Sequence, residues 1–196
     1  MPFIFSWTNN QGIQFEQEIL VDDNYMFTIK QKVINNSNKD ISISPVGKIS
    51  RTDTPETMGF FILHEGPIGI INDVLEEIDY KDLKKNIGPI EYNSKGGWFG
   101  ITDKYWLATI IPDQSSNVIA RYQFYTKNNK EKYQVDFKGG IVEIPSNKSI
   151  TIKNLLYAGA KEIKLLDKYE KEYSIPRLDF AIDFGWYYFL TKPFLY

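Results

Sequence analysis

The sequence predicts a mainly β protein: an antiparallel β-sandwich followed by a short α-helical C-terminal region. Three observations carry this expectation. In MFTIKQKVI, Phe27, Ile29 and Val33 alternate with Thr28, Lys30 and Lys32, the period of a half-buried strand. Similar runs recur roughly every 8–12 residues, separated by Asn-, Gly-, Ser- and Lys-rich turns, which suits an antiparallel sandwich better than βαβ units. Near residue 160 the apolar spacing lengthens to that of a helix. A chain of 196 residues suits one compact domain. Residues 1–159 are expected to form its β body and 160–196 its helical end.

The opening MPFIFSWTNN has no basic n-region, and its apolar run breaks at Ser6, so it does not read as a signal peptide. Asp22-Asp23-Asn24 forms a turn before the next strand, because Asx side chains hydrogen-bond to nearby backbone. The turn NNSNKD follows that strand, and ISISPV resumes the alternation through Ile41 and Ile43. DVLEEIDYKDLKK has mixed charge and reads as a solvated hairpin or short helix. Further on, VIARYQFYT, KYQVDF, IVEIP and SITIKNLLY are strands punctuated by KNNK, Lys138-Gly139-Gly140 and SNK. Over 161–173, Ile163, Leu166, Tyr169 and Tyr173 recur every three to four residues among Lys and Glu. This predicts an amphipathic helix that packs that face on the sandwich and is ended by Pro176.

The last fourteen residues, DFGWYYFLTKPFLY, include seven aromatics, in a chain that is 15% aromatic with a mean hydropathy of −0.35. Gly185 permits a new start, 186–191 suffices for one or two helical turns, and Pro193 ends or bends them. Trp and Tyr favour membrane–water interfaces. Trp186, Tyr187, Phe189, Leu190, Pro193 and Phe194 are therefore the expected membrane-proximal residues. No window of about 20 apolar residues exists to span a bilayer.

The chemistry-bearing residues are sparse. The net charge of −2 comes from 23 basic and 25 acidic residues scattered along the chain, without the basic footprint of a nucleic-acid binder. Zero cysteines exclude disulfides, a thiolate nucleophile and Cys-ligated metal. His64 is the only histidine, so the usual zinc sites are excluded and no cofactor is called for. His64 and Glu65 would point to opposite faces of a strand, so the pair reads as a strand end before Gly66-Pro67 rather than an acid–base couple. Gly96-Gly97 and Gly139-Gly140 lack the Lys-Ser/Thr of a phosphate loop, and no Ser occupies a G-x-S-x-G elbow. In GGWFGITDKYWLATIIPD the aromatics are expected in the core. Trp98 and Trp106 are the candidates for a ligand groove if the chain is instead a carbohydrate-binding or mutarotase-like sandwich.

Several segments together resemble the large periplasmic domain of the YidC-type membrane protein insertases. They are HEGPIGIINDVLEEIDYKDLKK, KGGWFGITDKYWLATIIPD and LDFAIDFGWYYFLTKPFLY, with WTNNQGIQFEQEILVDDNYMFTIKQKV similar to the family's early strands. The Asp183-Phe184-Gly185-Trp186 core of the third is the most specific. The resemblance implies a β-supersandwich of two large antiparallel sheets with a short helical C-terminal region. It also implies a domain cut from a multi-pass protein, on the periplasmic face of the bacterial inner membrane. The full protein would be an insertase and chaperone working alone or beside the Sec translocon, through a hydrophilic groove among helices this chain lacks. The domain itself would be a non-catalytic accessory. Its implied partners are Sec accessory subunits, nascent membrane proteins and the membrane surface.

Overall fold

A computed structural model of the protein describes residues 1–56 and 63–182. Its strands are β1 (Phe3–Thr8), β2 (Ile13–Val21), β3 (Met26–Asn35), β4 (Ile41–Ile43), β5 (Val46–Thr52), β6 (Gly66–Ile71) and β7 (Val74–Glu77), then, after helix α1 (Tyr80–Lys85), β8 (Ile90–Lys95), β9 (Trp98–Thr102), β10 (Trp106–Ile111), β11 (Asn117–Lys127), β12 (Lys130–Gly139), β13 (Val142–Ile144) and β14 (Ser149–Ala160). Helix α2 (Ile163–Tyr173) and a 3-10 turn (Leu178–Ala181) complete the described chain. An eight-stranded sheet runs β1-β2-β3-β14-β10-β9-β6-β7, a four-stranded sheet runs β5-β12-β11-β8, and β4 pairs with β13. Every pairing in all three is antiparallel.

The period-two pattern sorts the core into two layers. On the inner face of the large sheet, Ile71, Phe99, Ile101 and Ile110 pack against Ala120, Tyr122, Tyr133, Val135 and Phe137 of the small one. On the outer face, Ile68, Ile70, Trp98, Leu107, Ile111, Leu155 and Tyr157 meet Leu166 and Tyr169 of α2 with Leu178 and Ala181 of the 3-10 turn. Alternate residues of β6, β9 and β10 thus serve both cores, which explains their near-continuous burial. Gly97 opens β9 with φ +88°, and a Cβ there would lie 2.1 Å from the Ile70 carbonyl oxygen. Only glycine fits this turn.

The structure refines several expectations. Asp22 Oδ1 accepts the Asn24 and Met26 backbone N–H, both at 2.9 Å, in the expected turn. ISISPV is two strands rather than one, because Pro45 has no N–H for a ladder and the chain changes sheets there. DVLEEIDYKDLKK holds both β7 and α1, and α1 is not simply solvated: Tyr80 and Leu83 are buried in the inner core. Helix α2 stops at Tyr173, ahead of Pro176, where Ser174 adopts φ +53° and donates its N–H to the Glu170 carbonyl. The tail residues Trp186, Tyr187, Phe189, Leu190, Pro193 and Phe194 lie outside the described residues. Among the described residues, no helix is long and apolar enough to cross a membrane.

Candidate functional site

The small sheet covers only part of the large one. The inner core brings residues of β6, β9 and β10 against β11 and β12, whereas β1, β2 and β3 form a wing at the far end. Cross-strand partners share a face. The register therefore places Phe5, Gln17, Gln31 and Ile152 in one row and Trp7, Phe15, Val33 and Ile150 in the next. Leu156, on the same face of β14 by alternation, packs against the inner core. The wing thus continues the inner face beyond the cover.

Part of that face is capped. Ile41, Ile43 and Ile144 of the β4–β13 pair sit on Ile13, Phe15, Val33 and Ile150. The buried Asn35 side chain donates to the Lys39 and Ile144 carbonyls at 2.8 and 2.9 Å, tying this cap to the end of β3. What remains is a cleft of about 590 Å³. Ile43, Ser44, Pro45 and Val46 form one wall; Phe15, Gln17, Gln31, Val33 and Ile152 form the floor; Phe5, Ser6 and Trp7 form the lip. Trp7 stacks on Phe15 with centroids 5.5 Å apart at 23°. Phe3, Phe5 and Trp7 remain 67%, 60% and 63% exposed. Glu16 and Lys32, which alternate to the opposite face of the sheet, pair there at 3.3 Å behind the floor. Apolar area with a few amide and hydroxyl groups suits an apolar ligand oriented by hydrogen bonds.

The residues expected to matter are distributed differently. Trp98 is a correction: it is fully buried in the outer core, with Nε1 donating to the Pro176 carbonyl at 3.0 Å, so no ring face is left for a ligand. Trp106 is 60% exposed beside a second cleft of about 300 Å³ between β5 and β10–β14. There Arg51 holds Asp103 with both guanidinium arms and also donates to Tyr80 Oη at 3.2 Å. Burial pushes the Tyr80 phenol up to about 12, against the opposing pull of Arg51. On α2, Leu166 and Tyr169 are fully buried in the outer core, Tyr173 packs at its margin, and Ile163 is half-buried outside it, with Leu165 contributing instead. His64 Nε2 faces the Pro67 carbonyl at 3.0 Å, while Glu65 accepts the Lys104 backbone N–H at 3.3 Å. The two side chains serve separate contacts.

One carboxylate cluster lies away from the cleft. Ligand atoms of Asp167, Glu170 and Asp179 fall within 4.8 Å of one another where α2 meets the 3-10 turn. Burial first, and then the neighbouring Asp179, raise the Glu170 pKa, while its carboxyl accepts the Leu178 and Asp179 backbone N–H. The Glu170 carboxyl thereby caps the start of the 3-10 turn.

None of the cleft residues was singled out as a site by sequence reading. A signal was present: Phe3, Phe5 and Trp7 alternate just ahead of an Asn-Asn turn.

Comparison with known proteins places these features in a family. The family model described as the YidC periplasmic domain matches residues 1–196. The chain is 45% identical over 195 residues to proteins named membrane protein insertase YidC from Rickettsia felis and Rickettsia bellii, covering 100% of this chain and 35% of each relative. It therefore spans about a third of the length of the relatives it matches. Among solved structures, a TPR-domain containing protein from Parabacteroides distasonis matches with a TM-score of 0.50 at 12% identity, over 81% of this chain and 34% of that one. At that identity the likeness concerns the fold alone.

Proposed function

Because the chain belongs to the YidC periplasmic domain family, we propose that it is the periplasmic part of an inner-membrane insertase and chaperone, in which its open cleft receives an extended apolar segment of a client protein. The role is one of binding, without catalysis. One observation carries this reading: Phe5 and Trp7 stand exposed at the lip of a largely apolar cleft of about 590 Å³, with Phe3 exposed beyond them on the same face of β1. Contiguous exposed apolar surface of this kind marks interaction sites. Nascent membrane proteins are the client class whose apolar segments match it. Sec accessory subunits are the partners for other faces of the domain. The seven aromatics of 183–196 support a role for that stretch at the membrane surface.

The test is fluorescence anisotropy with a labelled nine-residue peptide alternating Thr with Val, Phe and Leu. Burying a large apolar side chain is worth about 1.5–3 kcal/mol, so the double variant Phe5→Ala/Trp7→Ala should bind at least tenfold more weakly. Its Tm should stay close to wild type, since both side chains are exposed. Equal affinity for the peptide would remove the cleft from the function.

A further inference from the structure

We infer that a cleft of about 560 Å³ at one end of the small sheet is a binding site for a phosphate ester, held between Lys95 and Lys138. It lies across Ser44 from the first cleft, and the rest of its lining comes from β8, β11, β12 and the turns beside them. The inference stands apart from the client reading, because neither cleft needs the other's ligand.

The register of the sheet builds the site. Ile119 of β11 pairs with Asn93 of β8 on one side and Lys138 of β12 on the other, and Asn117 pairs with Lys95. Cross-strand partners share a face. These five side chains therefore stand together on the face opposite the buried Val118 and Ala120. Strand spacing puts Asn93 and Lys138 roughly 10 Å apart across Ile119, with Lys95 about 7 Å further along β8. Both ammoniums ride on flexible four-carbon stems and can close on an anion lying over Ile119 and Asn117. Asn72 fixes the β8 side of the cleft: its amide donates to the Asn93 carbonyl at 2.8 Å and accepts the Lys95 N–H at 3.0 Å.

The charge here departs from that of the chain, which is −2 overall. No carboxylate lines the cleft. Among the described residues, neither lysine has an acidic partner, and the side-chain amides of Asn93 and Asn117 bond to no protein group. The rest of the face continues the sign. By alternation Lys48, Lys127, Lys130 and Lys132 stand on it, against Glu91 and a buried Asp136 that Arg121 holds at 2.6 Å. Lys127 and Lys130 are direct cross-strand partners, a repulsive pairing. A face of one sign concentrates anions and steers them inward.

The donor set narrows the ligand. A neutral ligand would use neither charge. Planar carboxylates are matched by arginine forks, and no arginine lines the cleft. Lysine point charges with amide N–H groups around them suit the several oxygens of a phosphate. No aromatic ring lines the cleft to stack a base or a sugar. The ester is therefore a small one of the glycerol phosphate class, either free or as a lipid headgroup.

The test is calorimetric titration of the chain with glycerol phosphate at about 0.15 M salt, where charges are screened over about 8 Å. Lys95→Gln/Lys138→Gln should weaken binding at least tenfold. Lys127→Gln/Lys130→Gln, roughly 27 Å away along β12, should change it less than twofold. All four side chains are exposed, so Tm should hold in both variants. A second arm uses vesicles of phosphatidylglycerol in phosphatidylcholine. Loss of vesicle binding by Lys95→Gln/Lys138→Gln identifies the ester as a headgroup; unchanged vesicle binding, with glycerol phosphate still bound by the wild type, identifies it as free. Equal losses in the two variants would reduce the site to the general field of the face and overturn it. Acetate binding as tightly as glycerol phosphate would overturn the phosphate assignment. No binding of glycerol phosphate, with vesicle binding indifferent to Lys95 and Lys138, would remove the site altogether.

Discussion

Tyr169→Phe removes a single oxygen from a fully buried ring on α2. The ring keeps its contacts with Tyr157 and Tyr173, at centroid distances of 5.9 and 5.8 Å. What it loses is the hydrogen bond donated to Asp22 Oδ2, the tie between the helix and the β2–β3 turn. A hydrogen bond to a charged group contributes about 1.5–3 kcal/mol. Asp22 is exposed, so solvent screening lowers the expectation to about 1–2 kcal/mol. For a domain of this size that is a fall in Tm of roughly 2–8 °C. The pH dependence has a definite sign. Burial favours the neutral Asp22 acid, but the Tyr169 hydroxyl and the Met26 and Asn24 N–H groups together outweigh it and hold the pKa below 3.8. A depressed folded pKa stabilises above the unfolded value and loses that contribution as pH falls through the folded value. Urea denaturation should therefore show the full gap between wild type and variant at pH 7, shrinking as the pH is lowered past about 4. In an Asp22→Ala background, which removes the acceptor, the Tyr169 change should be nearly silent. A gap of the same size at every pH, or none at pH 7, would refute the tie.

Two further changes probe the scaffold. Gly97→Ala should cost about 2–4 kcal/mol in guanidinium denaturation, through a strained positive φ and a clash with the Ile70 carbonyl; wild-type stability would mean that the turn relaxes freely. Glu170→Gln should flatten the pH profile of stability, because the raised folded pKa of Glu170 adds stability below the ordinary carboxylate range and loses it as pH rises through the raised value. An identical profile in the variant would show that the titration of Glu170 contributes nothing to it.

The β class and the position of the helix were legible because they rest on local periodicity. Phe27, Ile29 and Val33 alternate whatever lies above them, and Leu166 and Tyr169 share a helix face whatever they pack on. The site was not legible, because it depends on which stretches of strand are covered. Trp98 and Trp7 are both strand tryptophans, yet α2 and the Pro176 carbonyl enclose one, while nothing among the described residues covers the lip formed by the other. That distinction is set by sheet order, in which β14 separates β3 from β10 across more than a hundred residues of sequence. Ile41 and Ile43 show the same limit. Their alternation is readable, but not that they leave both large sheets to cap the wing.

Unequal sheets are the physical origin of the cleft. Strands lie about 4.8 Å apart, so eight of them span roughly 34 Å from first to last and four span roughly 14 Å. Some 20 Å of inner face is thus left without a facing sheet, and β4 with β13 covers only a portion. An exposed apolar trough is an aggregation hazard unless its exposure serves binding. The β5, β7 and β8 edges carry charged residues, whereas β1 carries none. A segment lying along Phe5 and Trp7 would bury their exposed rings beside the floor of Phe15, Val33 and Ile152, which is how the proposed client would be held.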